Sequence, residues 1–192
     1  MRSPIEGMVY ETNMRLVNQV INACDLESVH PVIFFASSIQ ENNGSEYARC
    51  KIDGKNRFIR WAKEHNSGFG CMVFPNLFGP LARPYSHSFI ATFCYQLTHN
   101  EEPHILIDNK VTLKYIRTML HCMLPFMEEV ITDRSIEQLE FQPDYSVKVS
   151  QVLSIPRSLK TDYLDKGILY KKTHSIESEL FETLISYKNY NL

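Results

Sequence analysis

The sequence is poor in glycine and has no excess of basic residues. Only seven of the 192 residues are glycine, which is about half of the usual share, whereas a complete dinucleotide-binding fold needs several glycine-rich turns. Lysine and arginine together number 20, against 22 aspartates and glutamates. A protein that binds nucleic acid by neutralising phosphates normally has a basic surplus, so the composition argues against a nucleic-acid partner.

Metal-binding and disulfide patterns are also missing from the sequence. The five cysteines form no Cys-x-x-Cys pair, and the seven histidines are scattered without His-x-x-x-His spacing. We therefore expect no metal site and no disulfide framework, as in a reduced compartment. No apolar run approaches the length of a membrane-spanning helix, and the first residues lack the apolar core of a signal peptide. These observations predict a cytoplasmic protein without a membrane partner.

Apolar runs of strand length alternate with helical periodicity in the first part of the chain. Residues 9–24 have mostly helical spacing, and Val32 to Ala36 form a continuous apolar run typical of a strand buried on both faces. Residues 46–65 again have helical spacing, and Cys71 to Phe74 form a second buried strand. A strand, a helix and a second strand in this order predict a crossover unit, a parallel sheet and the α/β class.

The pattern changes beyond Pro84, so we predict one division of the chain there, into residues 1–84 and 85–192. The second part is expected to begin with a helix over 88–98 and a strand pair at 104–107 and 111–113. A helix over 115–130 should follow despite Pro125, and then a polar and irregular stretch over 132–147. The final helix should be capped by Ser175 and should bury Ile176, Leu180, Leu184 and Ile185.

The most informative motif is the pair Tyr47 and Lys51. Residues four apart on a helix project from the same face, one turn from each other. An ammonium group near a phenol favours the phenolate and lowers its pKa. A serine hydroxyl from the end of a neighbouring strand could share the reacting oxygen with that phenol, which makes a proton donor for a carbonyl that is being reduced.

A tyrosine and a lysine at this spacing also occur by chance, as a solvated helix face. The order of the surrounding elements favours the catalytic interpretation. A buried strand ends in Ser37 and Ser38, a short loop follows, the Tyr47–Lys51 pair opens a helix, and another buried strand comes next. A serine hydrolase is a poor alternative, because no Gly-x-Ser-x-Gly motif surrounds the two serines.

Ser38, Tyr47 and Lys51 resemble the Ser–Tyr–Lys triad of the extended short-chain dehydrogenases/reductases, the group of nucleotide-sugar epimerases, dehydratases and reductases. The segment FPNLFGP at 74–80 resembles the family segment that follows the next strand. Within the family, the segments at 37–40, 75–79 and 88–95 look most like the capsule and O-antigen reductases. The likeness extends from about residue 8 to residue 116 and is faint beyond it.

The resemblance implies a role for each matching residue. Ser38 would position the sugar oxygen, Tyr47 would be the acid/base, and Lys51 would hold the nicotinamide ribose and tune Tyr47. The implied cofactor-binding residues are Ser37, Tyr47, Lys51, Phe74 and Pro75, and the implied substrate-binding residues are Gln40, Asn76 and Arg83. From its residue type alone, Arg83 could bind a diphosphate through its guanidinium group or be an ordinary surface charge.

The resemblance also implies a fold and an activity. The fold would be the C-terminal part of a Rossmann-like, doubly wound parallel sheet, with a small substrate-binding region. The activity would be reduction of the C4 ketone of a UDP-2-acetamido-2,6-dideoxy-hexos-4-ulose by NADPH or NADH, or epimerisation of a related nucleotide sugar, in the synthesis of surface polysaccharides. The UDP-sugar would be the substrate, and the chain would form a homo-oligomer or associate with another chain.

The sequence departs from the family pattern in three places. Gly68-Phe69-Gly70 precedes a strand, whereas a pyrophosphate loop follows a strand and opens a helix, so we expect the family's first strands and phosphate loop upstream of Met1. Ile116-Arg117-Thr118 replaces the family's Val-Asp-Asp, and we expect the chain to lack the family's C-terminal cupin domain. The alternative hypothesis is a truncated, non-catalytic relative that acts as a partner subunit or is an inactive remnant.

Overall fold

The computed structural model describes residues 7–171 and 175–190. It divides into two compact units that are interleaved along the chain. The first unit comprises Met1–Phe74 and Leu120–Phe141, and the second comprises Pro75–Met119 and Gln142–Leu192. The predicted division of the chain at residue 84 concerns functional domains and stays a prediction.

The described residues form six α-helices and six strands. The helices are α1 (Met8–Leu26), α2 (Glu46–Glu64), α3 (Phe89–Thr98), α4 (Ile116–Asp133), α5 (Val149–Leu159) and α6 (Ile176–Ile185). The strands are β1 (Ile33–Ser38), β2 (Phe69–Phe74), β3 (Asn76–Phe78), β4 (Lys110–Tyr115), β5 (Ile136–Glu140) and β6 (Tyr145–Lys148). A 3-10 turn (Ile39–Asn43) follows β1, and a π-helical segment (Lys160–Asp165) follows α5.

A parallel sheet with strand order β1-β2-β5 organises the first unit. On one face, α2 packs closely against Val17 of α1 and Phe35 of β1 at Gly54. A Cβ atom at position 54 would lie only 3.2–3.3 Å from the side chains of Val17 and Phe35. On the other face, Phe126 of α4 approaches Gly70 at the centre of the sheet. Helices therefore cover both faces of a parallel sheet, as the sequence predicts for the α/β class.

Local signals explain where α2 begins. Gly44 has a φ of 69°, a left-handed conformation that suits glycine because it has no Cβ atom. The Ser45 hydroxyl then accepts a hydrogen bond from the backbone N–H of Ala48 at 3.1 Å, which is an N-cap interaction. This start places Tyr47 in the first turn of α2 and Lys51 one turn further along.

The second unit has a small mixed sheet packed against helices. Strand β4 pairs in parallel with β3 and antiparallel with β6, and helices α3, α5 and α6 pack on one another. The core of this unit includes the fully buried side chains of Ile90, Leu113, Leu180, Leu184 and Tyr187. The predicted final helix buries Leu180 and Leu184, but Ile185 is exposed.

Two predictions for the second half of the chain are wrong. Residues 104–107 do not form a strand, and Leu106 is 95% exposed there. The stretch 132–147 is not irregular, because it contains β5 and the first part of β6. In addition, among the residues that the structure describes, no helix combines the length and the apolar character needed to cross a membrane.

Candidate functional site

Two of the candidate site residues lie at the carboxyl ends of adjacent parallel strands. Ser38 is the last residue of β1, and its register partner is Phe74, the last residue of β2. In open α/β sheets, ligands bind in the crevice outside the carboxyl ends of the strands. The structure therefore places Ser38 and Phe74 at the end of the sheet where a ligand is expected.

Tyr47 and Lys51 come together on α2, as their spacing predicts. The Lys51 ammonium lies 5.4 Å from the centre of the Tyr47 ring and 5.1 Å from the centre of the Phe35 ring. It donates a hydrogen bond to the backbone oxygen of Ala36 at 2.8 Å. This bond fixes the amine of Lys51 against the end of β1, beside the tyrosine.

The electrostatics of Tyr47 differ from the expectation. The pKa of Tyr47 is raised, chiefly because burial disfavours the charged phenolate, with a further contribution from Cys50. Burial also lowers the pKa of Lys51. On balance the pKa of the phenol is therefore raised, with desolvation as the largest cause, and the lowering expected from Lys51 stays a prediction.

Ser38 lies at the start of the 3-10 turn. Its hydroxyl oxygen accepts a hydrogen bond from the backbone N–H of Gln40 at 3.2 Å, and its backbone is extended. The Gln40 side chain is exposed. The structure thus orients the Ser38 hydroxyl through the turn, and the contacts of Ser38 and Gln40 with a substrate stay predictions.

Ser37 points into the protein, because neighbouring residues of a strand face opposite sides of the sheet. It is 4% exposed, and its hydroxyl donates to the Glu41 carboxylate. The other carboxylate oxygen of Glu41 pairs with the Lys55 ammonium at 2.8 Å. The Ser37 hydroxyl is therefore engaged within the protein, and its predicted contact with a cofactor stays a prediction.

Phe74 and Pro75 lie where the chain leaves the first sheet. The Phe74 ring is half-buried and stacks on Phe141, with 4.9 Å between the ring centres. Pro75 is buried and is the first residue of the second unit. Stacking restricts the Phe74 ring to one side of β2, and the contacts predicted for Phe74 and Pro75 with a nicotinamide stay predictions.

The other two predicted substrate residues, Asn76 and Arg83, belong to the second unit. Both are exposed, and the Asn76 amide donates to the backbone oxygen of Thr112 at 3.1 Å. The residues at the position of the family's Val-Asp-Asp make internal contacts. Arg117 pairs with Glu182 at 3.0 Å, and the Thr118 hydroxyl donates to Asp144.

An ion pair between the 3-10 turn and α2 could not be predicted from the sequence. Glu41, Lys55 and Gln138 come from the 3-10 turn, α2 and β5, and the Lys55 ammonium lies 3.4 Å from the Gln138 side-chain oxygen. The only available signal was that Lys55 follows Lys51 by one helical turn. The three elements meet only in the folded unit.

No family model matches the chain. A curated relative is the UDP-2-acetamido-2,6-beta-L-arabino-hexul-4-ose reductase of Pseudomonas aeruginosa, which is 28% identical over 131 residues. The match covers 62% of this chain and 32% of the relative. The chain therefore spans about a third of the length of the curated relative that it matches.

The chain is also similar to solved structures over most of its length. The capsular polysaccharide assembling protein CapF of Staphylococcus aureus superposes with a TM-score of 0.75 and 26% identity, over 89% of this chain and 47% of CapF. A UDP-glucose 4-epimerase of Thermotoga maritima, solved with UDP-glucose, has a TM-score of 0.72 and 15% identity, over 93% of this chain and 70% of the epimerase. The second likeness shows the fold alone.

The resemblance to the extended short-chain dehydrogenases/reductases is confirmed by these relatives. The predicted α/β fold, with the parallel sheet of the Rossmann-like epimerases, is confirmed as well.

Proposed function

We propose that the chain carries the catalytic triad and part of the substrate site of an NAD(P)-dependent nucleotide-sugar reductase. The substrate would be a UDP-2-acetamido-2,6-dideoxy-hexos-4-ulose, reduced at C4 during the synthesis of a surface-polysaccharide sugar in the cytoplasm. The similarity to the Pseudomonas aeruginosa reductase supports this substrate class.

The observation that carries the proposal is the position of Lys51. Its amine is anchored to Ala36 at 2.8 Å and lies beside the Tyr47 ring. Both side chains follow the end of the strand that carries Ser38. A solvated helix face would leave the lysine amine in water, whereas here it is half-buried and bonded to the end of β1.

Each residue of the proposed triad has a separate role in the reduction. The Ser38 hydroxyl holds the C4 oxygen, and the Tyr47 phenol donates its proton to that oxygen as hydride reaches the C4 carbon. The carbonyl becomes a secondary alcohol, and the tyrosine becomes a phenolate that the Lys51 ammonium stabilises. The raised pKa of Tyr47 suits this direction, because it keeps the phenol protonated at neutral pH and able to act as an acid.

The residues present fit the nicotinamide end of a dinucleotide cofactor. The half-buried Lys51 amine would hold the nicotinamide ribose, and the segment Phe74–Pro75 would border the ring. A nicotinamide cofactor held there would supply the hydride. The pyrophosphate end needs a glycine-rich turn between a strand and a helix, and this chain has no such sequence.

The proposed substrate-binding residues are Gln40, Asn76 and Arg83. Amide side chains can bind sugar hydroxyls, and the Arg83 guanidinium can bind two diphosphate oxygens at once. The exposure of all three side chains is compatible with binding.

A turnover assay tests the proposal directly. The chain is incubated with the UDP-4-keto-sugar and millimolar NADPH that carries deuterium at the transferred position, and the product is analysed by mass spectrometry and NMR. We expect one deuterium at C4 of the reduced sugar. UDP-sugar binding without turnover, under conditions in which NADPH is shown to bind, would contradict the catalytic proposal. The absence of UDP-sugar binding would contradict the substrate class.

A further inference from the structure

The loop that follows β3 is bonded to the two residues that follow α6. The backbone N–H of Leu81 donates to the Ser186 hydroxyl at 3.3 Å, and the Tyr187 hydroxyl donates to the backbone oxygen of Ala82 at 2.6 Å. Tyr187 is fully buried, so its hydroxyl has no water to bond with instead. Two consecutive loop residues are therefore held by two consecutive residues at the end of the helix.

The end of α6 is a rigid support for this loop. Leu180 and Leu184 of the helix are fully buried in the core of the second unit. The Ser186 hydroxyl also donates to the backbone oxygen of Thr183 at 2.7 Å, which fixes the direction in which it can accept a bond. The loop is thus bonded to a part of the unit that is itself well packed.

The backbone of the loop is strained at Leu81. Its φ is 65°, in the left-handed region that bulky residues rarely adopt because the Cβ atom is crowded there. The Leu81 side chain is 65% exposed, so burial of this side chain does not compensate for the strain. Such conformations persist where surrounding bonds enforce them, and they are common at ligand sites. The bonds to Ser186 and Tyr187 are the enforcing contacts here.

The same loop presents Arg83 to the solvent. Arg83 is exposed, and its guanidinium forms no hydrogen bond or ion pair with any residue that the structure describes. Ala82 before it is held by Tyr187, and Pro84 after it is buried and has a φ fixed by its ring. A residue that precedes proline is itself restricted to extended backbone. The backbone of Arg83 is therefore fixed from both sides, while its charge is available to an anion.

We propose that Ser186 and Tyr187 are positioning residues, which hold the loop so that Arg83 is already placed for the diphosphate of a UDP-sugar. The identity of the ligand rests on the proposed function, whereas the anchoring of the loop belongs to the chain itself. A guanidinium binds phosphate oxygens through two parallel hydrogen bonds, and a loop that is fixed beforehand loses less conformational entropy on binding. Because Tyr187 is fully buried, it acts on the ligand through Arg83.

UDP is the probe for this role, because it carries the diphosphate without the sugar. Isothermal titration calorimetry compares the full 192-residue chain with Tyr187→Phe, Arg83→Gln and the double variant. We expect Arg83→Gln to weaken UDP binding roughly tenfold or more and Tyr187→Phe to weaken it roughly three- to tenfold, from the usual strengths of charged and neutral hydrogen bonds. In the Arg83→Gln background, Tyr187→Phe should change the affinity less than about twofold, because the side chain that it positions is gone.

The dependence on Arg83 separates positioning from a general loss of structure. A tyrosine with a merely structural role would weaken UDP binding by the same factor in both backgrounds, and that result would overturn the proposal. An unchanged affinity in Tyr187→Phe would overturn it as well. Tyr190→Phe is the matched control and should bind UDP normally. It removes a phenol close to the same helix end, and the Tyr190 hydroxyl has no partner within the described part of the chain.

Hydrogen exchange tests the anchor without any ligand. Mass spectrometry of peptic peptides follows deuterium uptake in the segment 79–87. In Tyr187→Phe this segment should exchange roughly threefold faster or more, because loss of a hydrogen bond favours local opening. The helix α5 should keep its exchange rate and serves as the internal reference. Equal exchange of the loop in Tyr187→Phe and in the unmodified protein would contradict the anchoring role.

Ser186→Ala keeps the proposal testable if Tyr187→Phe does not fold. It removes the bond to Leu81 and leaves the buried tyrosine in the core. The same loss of UDP affinity, present with Arg83 and absent in Arg83→Gln, is expected, and its absence would overturn the proposal. An unmodified chain that binds no UDP would contradict the proposed substrate class, while hydrogen exchange would still decide whether the helix end anchors the loop. Failure of the proposed function and failure of this inference are thus distinguishable.

Discussion

Among single residues, Tyr47 has the most specific task, since the proposed reaction needs a proton that only its hydroxyl can donate. Tyr47→Phe should lower turnover by roughly 10²–10⁴-fold, the usual contribution of general acid catalysis. The stability should change little, because the ring is retained and Tyr47 is 38% exposed. Steady-state rates with the UDP-4-keto-sugar, together with urea unfolding, check both expectations.

Tyr85→Phe is the matched control for this substitution, because it removes a phenol from an exposed tyrosine outside the triad. Equal rates for the Tyr47→Phe variant and the unmodified protein would contradict the assignment of the acid.

Lys51 has two tasks in the proposed mechanism, so Lys51→Met should have two effects. Loss of the amine should weaken cofactor binding. Loss of the positive charge should raise the pKa of Tyr47 further, because an opposite charge favours the ionised phenol. The pH at which activity appears in the oxidative direction should therefore rise. A pH–rate profile measured for alcohol oxidation checks this, and a profile without an upward displacement would contradict the electrostatic role.

The sequence predicted which side chains meet at the site, but it did not predict their energetics. The four-residue spacing of Tyr47 and Lys51 is a property of any helix, so their proximity could be inferred. The pKa of Tyr47 depends on how deeply the fold buries it, which no local pattern records. The Glu41–Lys55 pair likewise joins a turn to a helix, and a lone glutamate in a loop gave no signal.

Among the elements, the junction of β4, β6 and α4 depends on a buried charge. The Lys114 side chain is 6% exposed, and its ammonium donates to Asp144 at 2.9 Å. Asp144 also accepts hydrogen bonds from the Tyr115 backbone N–H and the Thr118 hydroxyl. Burial alone would raise the pKa of Asp144, but the bonds from Thr118, Lys114 and Tyr115 outweigh it and lower the pKa.

Asp144→Asn should therefore cost about 3 kcal/mol of unfolding free energy at pH 7, since it leaves the Lys114 ammonium without its carboxylate. A carboxyl group whose pKa is lower in the folded state stabilises the fold above its unfolded pKa of about 3.9. This contribution is lost as the pH falls through the folded pKa. The difference between the variant and the unmodified protein should thus shrink below about pH 4.

Urea unfolding at several pH values measures this difference. The control is Asp165→Asn, which breaks the more exposed pair of Lys160 and Asp165 and should cost less than about 1 kcal/mol. A similar, pH-independent loss in both variants would contradict the role given to Asp144.

The strands in the second half of the chain show why some elements could not be predicted from the sequence. Strand β5 has only two half-buried apolar residues, Ile136 and Leu139, among exposed polar residues, and it lies at the edge of its sheet. Its sequence therefore looks like a polar loop. Residues 105–107 are apolar, but strand formation depends on a partner, and here β4 pairs with β3 and β6 instead. Pairing between distant segments decides both cases, and local composition does not record it.

For the whole molecule, the 192-residue chain by itself should bind NADPH weakly or not at all. Dinucleotides are held chiefly through the pyrophosphate at a glycine-rich turn, and the single Gly-x-Gly of this sequence, at Gly68 and Gly70, leads into β2 rather than into a helix. Fluorescence titration measures this binding. A dissociation constant in the micromolar range would contradict the expectation.

The same chain should also associate with itself or with another protein. Strand β1 pairs with β2 alone in the described sheet, and Leu16 and Val20 are exposed on α1. An apolar strand at a sheet edge is prone to further pairing. Size-exclusion chromatography over a range of concentrations checks this, and a strictly monomeric chain would contradict it.

The interleaving of the two units has a consequence for biosynthesis. The parallel sheet of the first unit receives β5 only after the whole segment from Pro75 to Met119, which belongs to the other unit, has left the ribosome. The nascent β2 therefore lacks its β5 partner until more than sixty further codons have been translated. A ribosome that stalls before Phe141 would present an incomplete sheet to chaperones and proteases, so codon usage across this interval should influence the yield of folded protein.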